Sequence, residues 1–248
     1  MSNSTFSRSQ DPPTPSTPPR VLQVYRLGEV HYQKAWDLQK KYVDLRKNNQ
    51  IPDTLFVLSH PPTITLGRNT GSQSLLFGES ALKEAGLDLV ESDRGGDATY
   101  HGPGQIVIYP ILDLRPDLQD IPKFVRLLEQ TMINVLALHG LKGKRVEGAP
   151  GAWLDAPDRK VGAVGARISR WITHHGIAFN VNTNLAHFNY IIPCGLADKG
   201  VSSLQHELGV SIDVHQVQNE LVEQFGVLFN RMIEEKEMNE ALFDSSSS

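Results

Sequence analysis

Apolar and polar positions follow two periods along the chain, and these periods predict a mixture of strands and helices. Short apolar or β-branched runs that end at Pro, Gly or Asp are typical of strands. The predicted strands lie in VLQVYRLGEV, DTLFVLSH, PTITLGR, LDLVES and HGIAFNVNTNL, over Ile106–Leu112, and as a pair within GAWLDAPDRKVGAVGARISRW that turns at Asp155–Arg159. DTLFVLSH contains the uninterrupted apolar run LFVL, which predicts a strand buried on both faces.

Helical spacing appears in separate segments between these strands. Ala35, Trp36, Tyr42 and Val43 predict a helix after the first strand, and LLFGESALKEAGL predicts a short helix that ends at Gly86. The clearest helix begins at the capping residue Asp120, has Pro122 in its first turn and ends near Gly140. Its apolar stripe contains Phe124, Val125, Leu128, Met132, Val135 and Leu136. A last helix is predicted over Asp213–Phe229.

Helices and strands do not alternate strictly, and this order decides the fold class. We expect an α/β (α+β) fold, with one domain and a mixed β-sheet flanked by helices, rather than a doubly wound parallel sheet. We expect a disordered tail over the Ser/Pro-rich residues 1–20. The folded domain is expected over residues 21–235, followed by a flexible end over residues 236–248.

Composition limits the classes of partner. The chain has 248 residues and a formal charge of −4, so a large phosphate-binding surface is not expected and nucleic acid is not a predicted partner. No run approaches the roughly 20 apolar residues that span a bilayer, so no membrane association is expected. Cys194 is the single cysteine, which excludes an internal disulfide and fits a reducing cytoplasm.

Cys194 stands between Pro193 and Gly195, on a bend that would expose its sulfur and free backbone N–H groups. A lone cysteine is more often a small buried apolar side chain, so both interpretations stay open from the residues alone. Lys160 lies in DRKVGAVGAR, where strand alternation predicts Lys160, Gly162, Val164 and Ala166 on one side. Small residues beside a lysine would leave a groove. Its ammonium would favour a thiolate, although a solvated surface lysine is the commoner case.

A glycine-rich segment, RGGDATYHGPGQ, spans residues 94–105. It lacks the Lys-Ser/Thr ending of a phosphate-binding P-loop, and it is either an irregular connection or the polar mouth of an apolar pocket. His101 is a secondary candidate base and Asn180 a further polar candidate. His174 and His175 are adjacent, so at most one is expected to face the site. The scattered His, Asp and Glu residues show no metal-ligand spacing.

Together, LSHPPTITLGRN, RGGDATYHGPGQIVIYPILDL, DRKVGAVGARISRWITHHGIAFNVN and IIPCGLADKGVSSL closely resemble the octanoyltransferases of lipoate biosynthesis, the lipoyl(octanoyl) transferase family. The resemblance covers Val21 to Phe229. It implies Cys194 as nucleophile, Lys160 as general acid and base, and an acyl-binding surface. That surface comprises Arg94, Gly95, Gly96, Asp97, Ala98, Thr99, Tyr100, His101, Ala163, Val164, Gly165, Gly176, Ile177 and Ala178. Ser202 departs from the family's usual threonine but keeps the hydroxyl.

The resemblance also implies the reaction and the fold of the biotin and lipoate protein ligases. Octanoyl would pass from octanoyl-acyl carrier protein to Cys194 as a thioester, then to a lysine of a lipoyl domain or of glycine-cleavage H protein. No cofactor, metal or ATP is expected, and a monomer is the default state. The alternatives are an ATP-dependent lipoate or biotin ligase, and a catalytically silent module that binds the same protein partners.

Overall fold

The computed structural model describes residues 18–71, 73–192, 199–238 and 243, so Cys194 lies outside the described residues. In chain order the elements are β1 (Arg20–Glu29), α1 (Tyr32–Lys47), β2 (Asp53–Ser59), β3 (Thr63–Leu66), α2 (Glu79–Glu84), β4 (Asp88–Glu91), β5 (Thr99–His101), β6 (Gln105–Ile111), α3 (Ile121–Leu138), β7 (Gly151–Leu154), β8 (Arg159–Val164), β9 (Arg167–Ser169), β10 (Ile172–His174), β11 (Ile177–Asn180), a 3-10 helix (Leu185–Tyr190), β12 (Gly200–Val201), α4 (Leu204–Leu208), α5 (Val214–Leu228) and β13 (Arg231–Lys236).

An eight-stranded sheet forms the centre of the domain, in the order β12-β8-β11-β6-β2-β1-β13 with β7 beside β8. The sheet is mixed. β1 is parallel to both β2 and β13, and β12 is parallel to β8, whereas the pairs β2–β6, β6–β11 and β11–β8 are antiparallel. A small sheet, β4-β3-β5, and the pair β9-β10 stand apart from it. The predicted mixed sheet flanked by helices is confirmed.

Helices cover both faces of the large sheet, which explains why β2 is apolar along most of its length. Leu55 and Val57 belong to a core built with α3 and α5, whereas Phe56 and Leu58 belong to a second core built with α1. Successive strand residues point to opposite faces, so one strand supplies both cores. No helix in the described part of the chain is long and apolar enough to cross a membrane.

The predicted helix boundaries agree closely with the structure. Asp120 caps α3 by accepting a hydrogen bond from the Lys123 amide at 2.9 Å, and Gly140 follows its end with φ +75°. Asp213 caps α5 in the same way. The predicted α3 stripe faces the core, with Phe124 and Met132 fully buried.

Several short elements were not predicted. β13 has the largely charged sequence RMIEEK, yet it pairs in parallel with β1 at the edge of the sheet. Charged side chains suit an edge strand because they discourage pairing with other chains. β5 lies within the segment interpreted as a glycine-rich loop, and it pairs with β3. The predicted terminal tails lie largely outside the described residues.

Candidate active site

A row of small side chains crosses the sheet and forms the floor of a cleft on its α1 side. Ala163 on β8, Ala178 on β11 and Val107 on β6 are direct cross-strand partners, and therefore face the same way. The next residue in the row, Leu58 on β2, is larger and fully buried. The cleft above this row is lined mainly by apolar atoms.

Lys160 stands at the β8 end of this floor because β8 contains an irregular register. Between Ala152 and Trp153 of β7 the pairing skips one residue of β8, so Trp153 opposes Lys160 and Ala152 opposes Gly162. Val161 consequently packs in the α3 core, and a Cβ on Gly162 would point at Met132 of α3. The predicted alternation was therefore wrong. Lys160 shares its face with Ala163, whereas Val164 packs toward α3 and Ala166 follows the end of the strand.

The glycine-rich segment closes one side of the cleft and is held in place by Arg94. The Arg94 guanidinium donates to Thr65 Oγ1 at 2.9 Å, to Thr65 O at 2.7 Å and to Gly95 O at 3.0 Å. These bonds tie the segment to β3. Gly95 is required there because a Cβ would lie 2.8 Å from the carbonyl oxygen of Ala166.

A chain of buried amides links the cleft to the residues that follow the Cys194 segment. His101 Nδ1 donates to Gln105 Oε1 at 2.8 Å, and Gln105 Nε2 donates to Asn180 Oδ1 at 2.9 Å. Asn180 Nδ2 then donates to Ser202 O at 3.0 Å. The Ser202 hydroxyl donates to Glu207 at 2.5 Å, a contact that the more usual threonine would also make.

Histidine and tyrosine rings line the inner end of the cleft in uncharged form. Burial, followed by the charges of His60 and Arg94, lowers the pKa of His101 well below its ordinary value. Burial likewise lowers the pKa of His60 to about 4 and raises that of Tyr109. His60 bridges Val30 O at 2.6 Å and Tyr109 Oη at 2.8 Å. At neutral pH these groups therefore provide hydrogen bonds without charge.

His174 and His175 both reach Asp93, and of the two His175 lines the cleft, in agreement with the expectation that at most one faces the site. His175 leaves β10 with a φ of 51°, and its Nε2 donates to Asp93 Oδ1 at 2.8 Å, while His174 Nε2 lies 3.7 Å from Oδ2. Burial raises the pKa of Asp93, but the His175 hydrogen bond and the neighbouring cations outweigh burial and lower it. Ligand atoms of these residues lie within 4.8 Å of one another, as in a metal site. Arg167 pairs with the same carboxylate, so the cluster already contains a cation.

A second groove approaches Lys160 from the α3 side of the sheet. It lies between the start of α3 and residues 148–150, and Ile121 and Val125 form part of its wall. The two cavities have Gly96, Lys160, Val164 and Gly165 in common. The wall between them is thus largely glycine backbone, with the Lys160 side chain at the junction.

A family model, described as the lipoyl protein ligase A/B catalytic domain, matches residues 31–226. The octanoyltransferase of Koribacter versatilis is 44% identical over 217 residues, which make up 86% of this chain and 86% of that protein. The chain belongs to the lipoyl protein ligase A/B catalytic domain family. The resemblance inferred from the motifs is confirmed.

Solved structures agree with this family at the level of the fold. A bipartite lipoate protein ligase from Thermoplasma acidophilum superposes with a TM-score of 0.71 at 16% identity, covering 90% of this chain and 89% of that chain. Biotin protein ligase from Aquifex aeolicus gives a TM-score of 0.51 at 12% identity, covering 84% of this chain and 69% of that chain. The predicted relation to the ligase fold is confirmed.

Most residues assigned from the family motifs line the first cleft. The cleft wall includes Arg94, Gly96, Ala98, Thr99, His101, Lys160, Ala163, Val164, Gly165, Gly176, Ile177 and Ala178. Gly95 and Asp97 line the second groove instead, and Cys194 lies outside the described residues. Tyr100 packs in a third core beside Phe188, and its hydroxyl contacts His187 Nδ1 at 2.8 Å.

The sequence interpretation missed further residues of the cleft wall that come from other elements of this family fold. Tyr32 begins α1, and Val107 and Tyr109 lie on β6. Val107 and Tyr109 form part of an apolar strand pattern, and Tyr32 lies on a helix, so no local signal separated any of them from ordinary core residues. His175 also lines the cleft, but the alternation rule weakened it as a candidate.

Proposed function

We propose that this protein transfers an octanoyl group from octanoyl-acyl carrier protein to the lysine ε-amine of lipoyl domains or H protein. One observation carries the proposal. An apolar cleft of suitable length ends at a lysine that is also reached from a separate groove. The relative from Koribacter versatilis, which bears the name octanoyltransferase, supports the same reaction.

The length of the floor supports an eight-carbon chain. From β8 to β6 the row Ala163–Ala178–Val107 crosses two strand spacings, or about 9.6 Å. Seven zigzag bonds of about 1.5 Å extend roughly 9 Å, so an octanoyl chain with its carbonyl carbon above Ala163, on the same strand as Lys160, would end near Val107.

The chemistry uses two residues in two steps. In the first step the Cys194 thiolate attacks the donor thioester carbon, a new S–C bond forms and the donor S–C bond breaks. The Lys160 ammonium protonates the departing thiolate. In the second step the acceptor amine attacks the acyl-enzyme and an N–C bond forms. The Cys194 sulfur leaves as a thiolate, and Lys160 takes up the amine proton. Thioester exchange is nearly neutral in energy and amide formation is downhill, so no ATP is consumed.

The two openings suit this sequence of steps. The acyl chain occupies the first cleft throughout, while the donor's pantetheine arm and later the acceptor's lysine side chain approach through the second groove. Both carriers are folded proteins that cannot enter the cleft. A slender arm is therefore the only part that needs to reach Lys160.

Intact-mass measurement after mixing the protein with octanoyl-acyl carrier protein, without ATP, tests the proposal. One octanoyl adduct is expected, which hydroxylamine removes and which Cys194→Ser lacks. Lys160→Ala should lose most turnover while keeping a slower reaction of the thiol. If no adduct forms and the protein instead attaches free octanoate to a lipoyl domain only with ATP, it is a ligase. If the protein binds partners without either reaction, it is a binding module.

A further inference from the structure

Two ammonium groups lie over one buried indole ring beside the cleft. Lys160 Nζ is 4.7 Å and Lys199 Nζ is 5.3 Å from the centroid of the Trp153 ring. Trp153 is 0% exposed, and both distances fall within the range of cation–π attraction.

The ring itself is fixed on several sides. Trp153 Nε1 donates to Ala149 O at 2.9 Å, and the Trp153 backbone exchanges hydrogen bonds of 3.0 and 2.8 Å with Lys144. The irregular β7–β8 register places Trp153 directly opposite Lys160. A ring held in this way can limit the positions that the Lys160 ammonium adopts.

Lys199 reaches the ring from the segment that returns to the sheet after residue 198. Its ammonium pairs with Asp158 at 3.0 Å, and the Gly200 amide donates to Asp158 O at 3.0 Å. Lys144 pairs with the same Asp158 carboxylate at 2.6 Å. Among the described cation–π contacts of Trp153, however, the ammonium partners are Lys160 and Lys199 and not Lys144.

We propose that Trp153 and Lys199 are positioning residues for Lys160 in the acyl transfer described above, on which this inference rests. The ring holds the Lys160 ammonium at the junction of the two cavities. Lys199, a like charge on the same ring, favours release of the Lys160 proton. The two residues thus act in opposite directions on the protonation of Lys160.

Other charged and titratable groups near Lys160 form a background that the variants leave unchanged. Arg94, His101 and His175 face the first cleft, and Asp97 faces the second groove. Asp158 and Arg159 directly precede Lys160 in the chain, and Asp158 is shared by Lys144 and Lys199. Lys144 and Lys199 form a pair matched at Asp158, since neutralising either removes one charge and one partner of that carboxylate, and Lys144 pairs in addition with Asp155.

The test is the pH dependence of the acylation rate, measured by intact mass with octanoyl-acyl carrier protein. Loss of the Lys160 proton should define the alkaline limb of the pH–rate profile, where the acylation rate falls as the pH rises. Lys199→Gln should move this limb to higher pH by about half a unit, because a nearby positive charge is lost, whereas Lys144→Gln should leave it in place. Trp153→Leu should move the limb to lower pH by about half to one unit and slow acylation about tenfold, and Trp153→Phe should restore the rate to within about threefold.

The outcomes separate the two proposals. The positioning role would be overturned if the alkaline limbs of the Lys199→Gln and Lys144→Gln variants lay at the same pH. It would also be overturned if the limb of a folded Trp153→Leu variant lay at the wild-type pH. In both cases acylation itself would persist. If Trp153→Leu does not fold, the Lys199→Gln and Lys144→Gln variants, at partly exposed positions, decide alone. A wild-type protein that forms no adduct would instead refute the proposed function.

Discussion

Replacing Val107 with alanine lengthens the floor of the acyl cleft at its far end. Val107 is 1% exposed, and its side chain closes the row that begins at Ala163. The change removes two carbon atoms, which is room for about two methylenes. At about 0.8 kcal/mol per buried CH₂, a decanoyl chain gains about 1.6 kcal/mol relative to octanoyl. This corresponds to a change of roughly 15-fold in the ratio of kcat/KM for the two donors.

The assay is a competition between octanoyl- and decanoyl-acyl carrier protein, followed as the ratio of the two masses on the enzyme. Val57→Ala is the matched control, because Val57 is also 1% exposed but packs in the α3 and α5 core on the opposite face of the sheet. Both variants lose stability through the cavity they leave. Only Val107→Ala should change the ratio.

A ratio unchanged in Val107→Ala, in protein that is folded at the assay temperature, would refute the position of the chain on this floor. An equal change in both variants would point to general loosening of the sheet rather than to contact with the acyl tail.

The remaining predictions concern the second groove and stability. Ile121→Trp should slow acylation by octanoyl-acyl carrier protein at least tenfold but leave the rate of acylation by a short octanoyl thioester unchanged. Leu138→Trp, at the other end of α3, should leave both rates unchanged. Equal rates of the two variants with octanoyl-acyl carrier protein would contradict the groove's role. Because burial lowers the pKa of His60 to about 4, its contribution is complete above pH 6.5 and is lost as the pH falls toward 4. Between pH 7 and 5 the free energy of unfolding should fall by about 2 kcal/mol because of this residue. His60→Gln should remove this pH dependence, and an unchanged slope in that variant would contradict the prediction. Asp53→Asn should cost about 3–5 kcal/mol in urea unfolding, because Arg20, Arg46 and Arg231 all pair with that buried carboxylate, and a loss below about 1 kcal/mol would contradict this.

Periodicity and capping residues predicted the framework of the fold well. The continuous apolar run of β2 indicated burial on both faces, and the structure places a helical layer on each. Asp120 and Gly140 marked the ends of α3 because their local chemistry does not depend on the rest of the fold. An apolar run and a capping residue act within a few residues of their own position, so the sequence alone is sufficient to predict them.

The errors arose where partners distant in the chain decide the geometry. The irregular register changes the face of the sheet on which Lys160 lies. It depends on how β7 pairs with β8, and the sequence of β8 alone does not indicate it. β13 is a strand only because β1 offers a free edge, and its own charged sequence gives no such indication.

The position of Lys160 also explains why one site can serve both halves of the proposed reaction. Lys160 pairs with Trp153 of β7 on one side and with Val201 of β12 on the other. It nevertheless lines both cavities, together with Gly96, Val164 and Gly165. Glycine leaves the wall between them thin, so in the proposed reaction the Lys160 ammonium can lie beside an acyl chain in one cavity and exchange a proton with a thiol or amine that arrives through the other. An added side chain at Gly95 would clash with the Ala166 carbonyl, so the close approach of the glycine-rich segment to the end of β8 also depends on glycine.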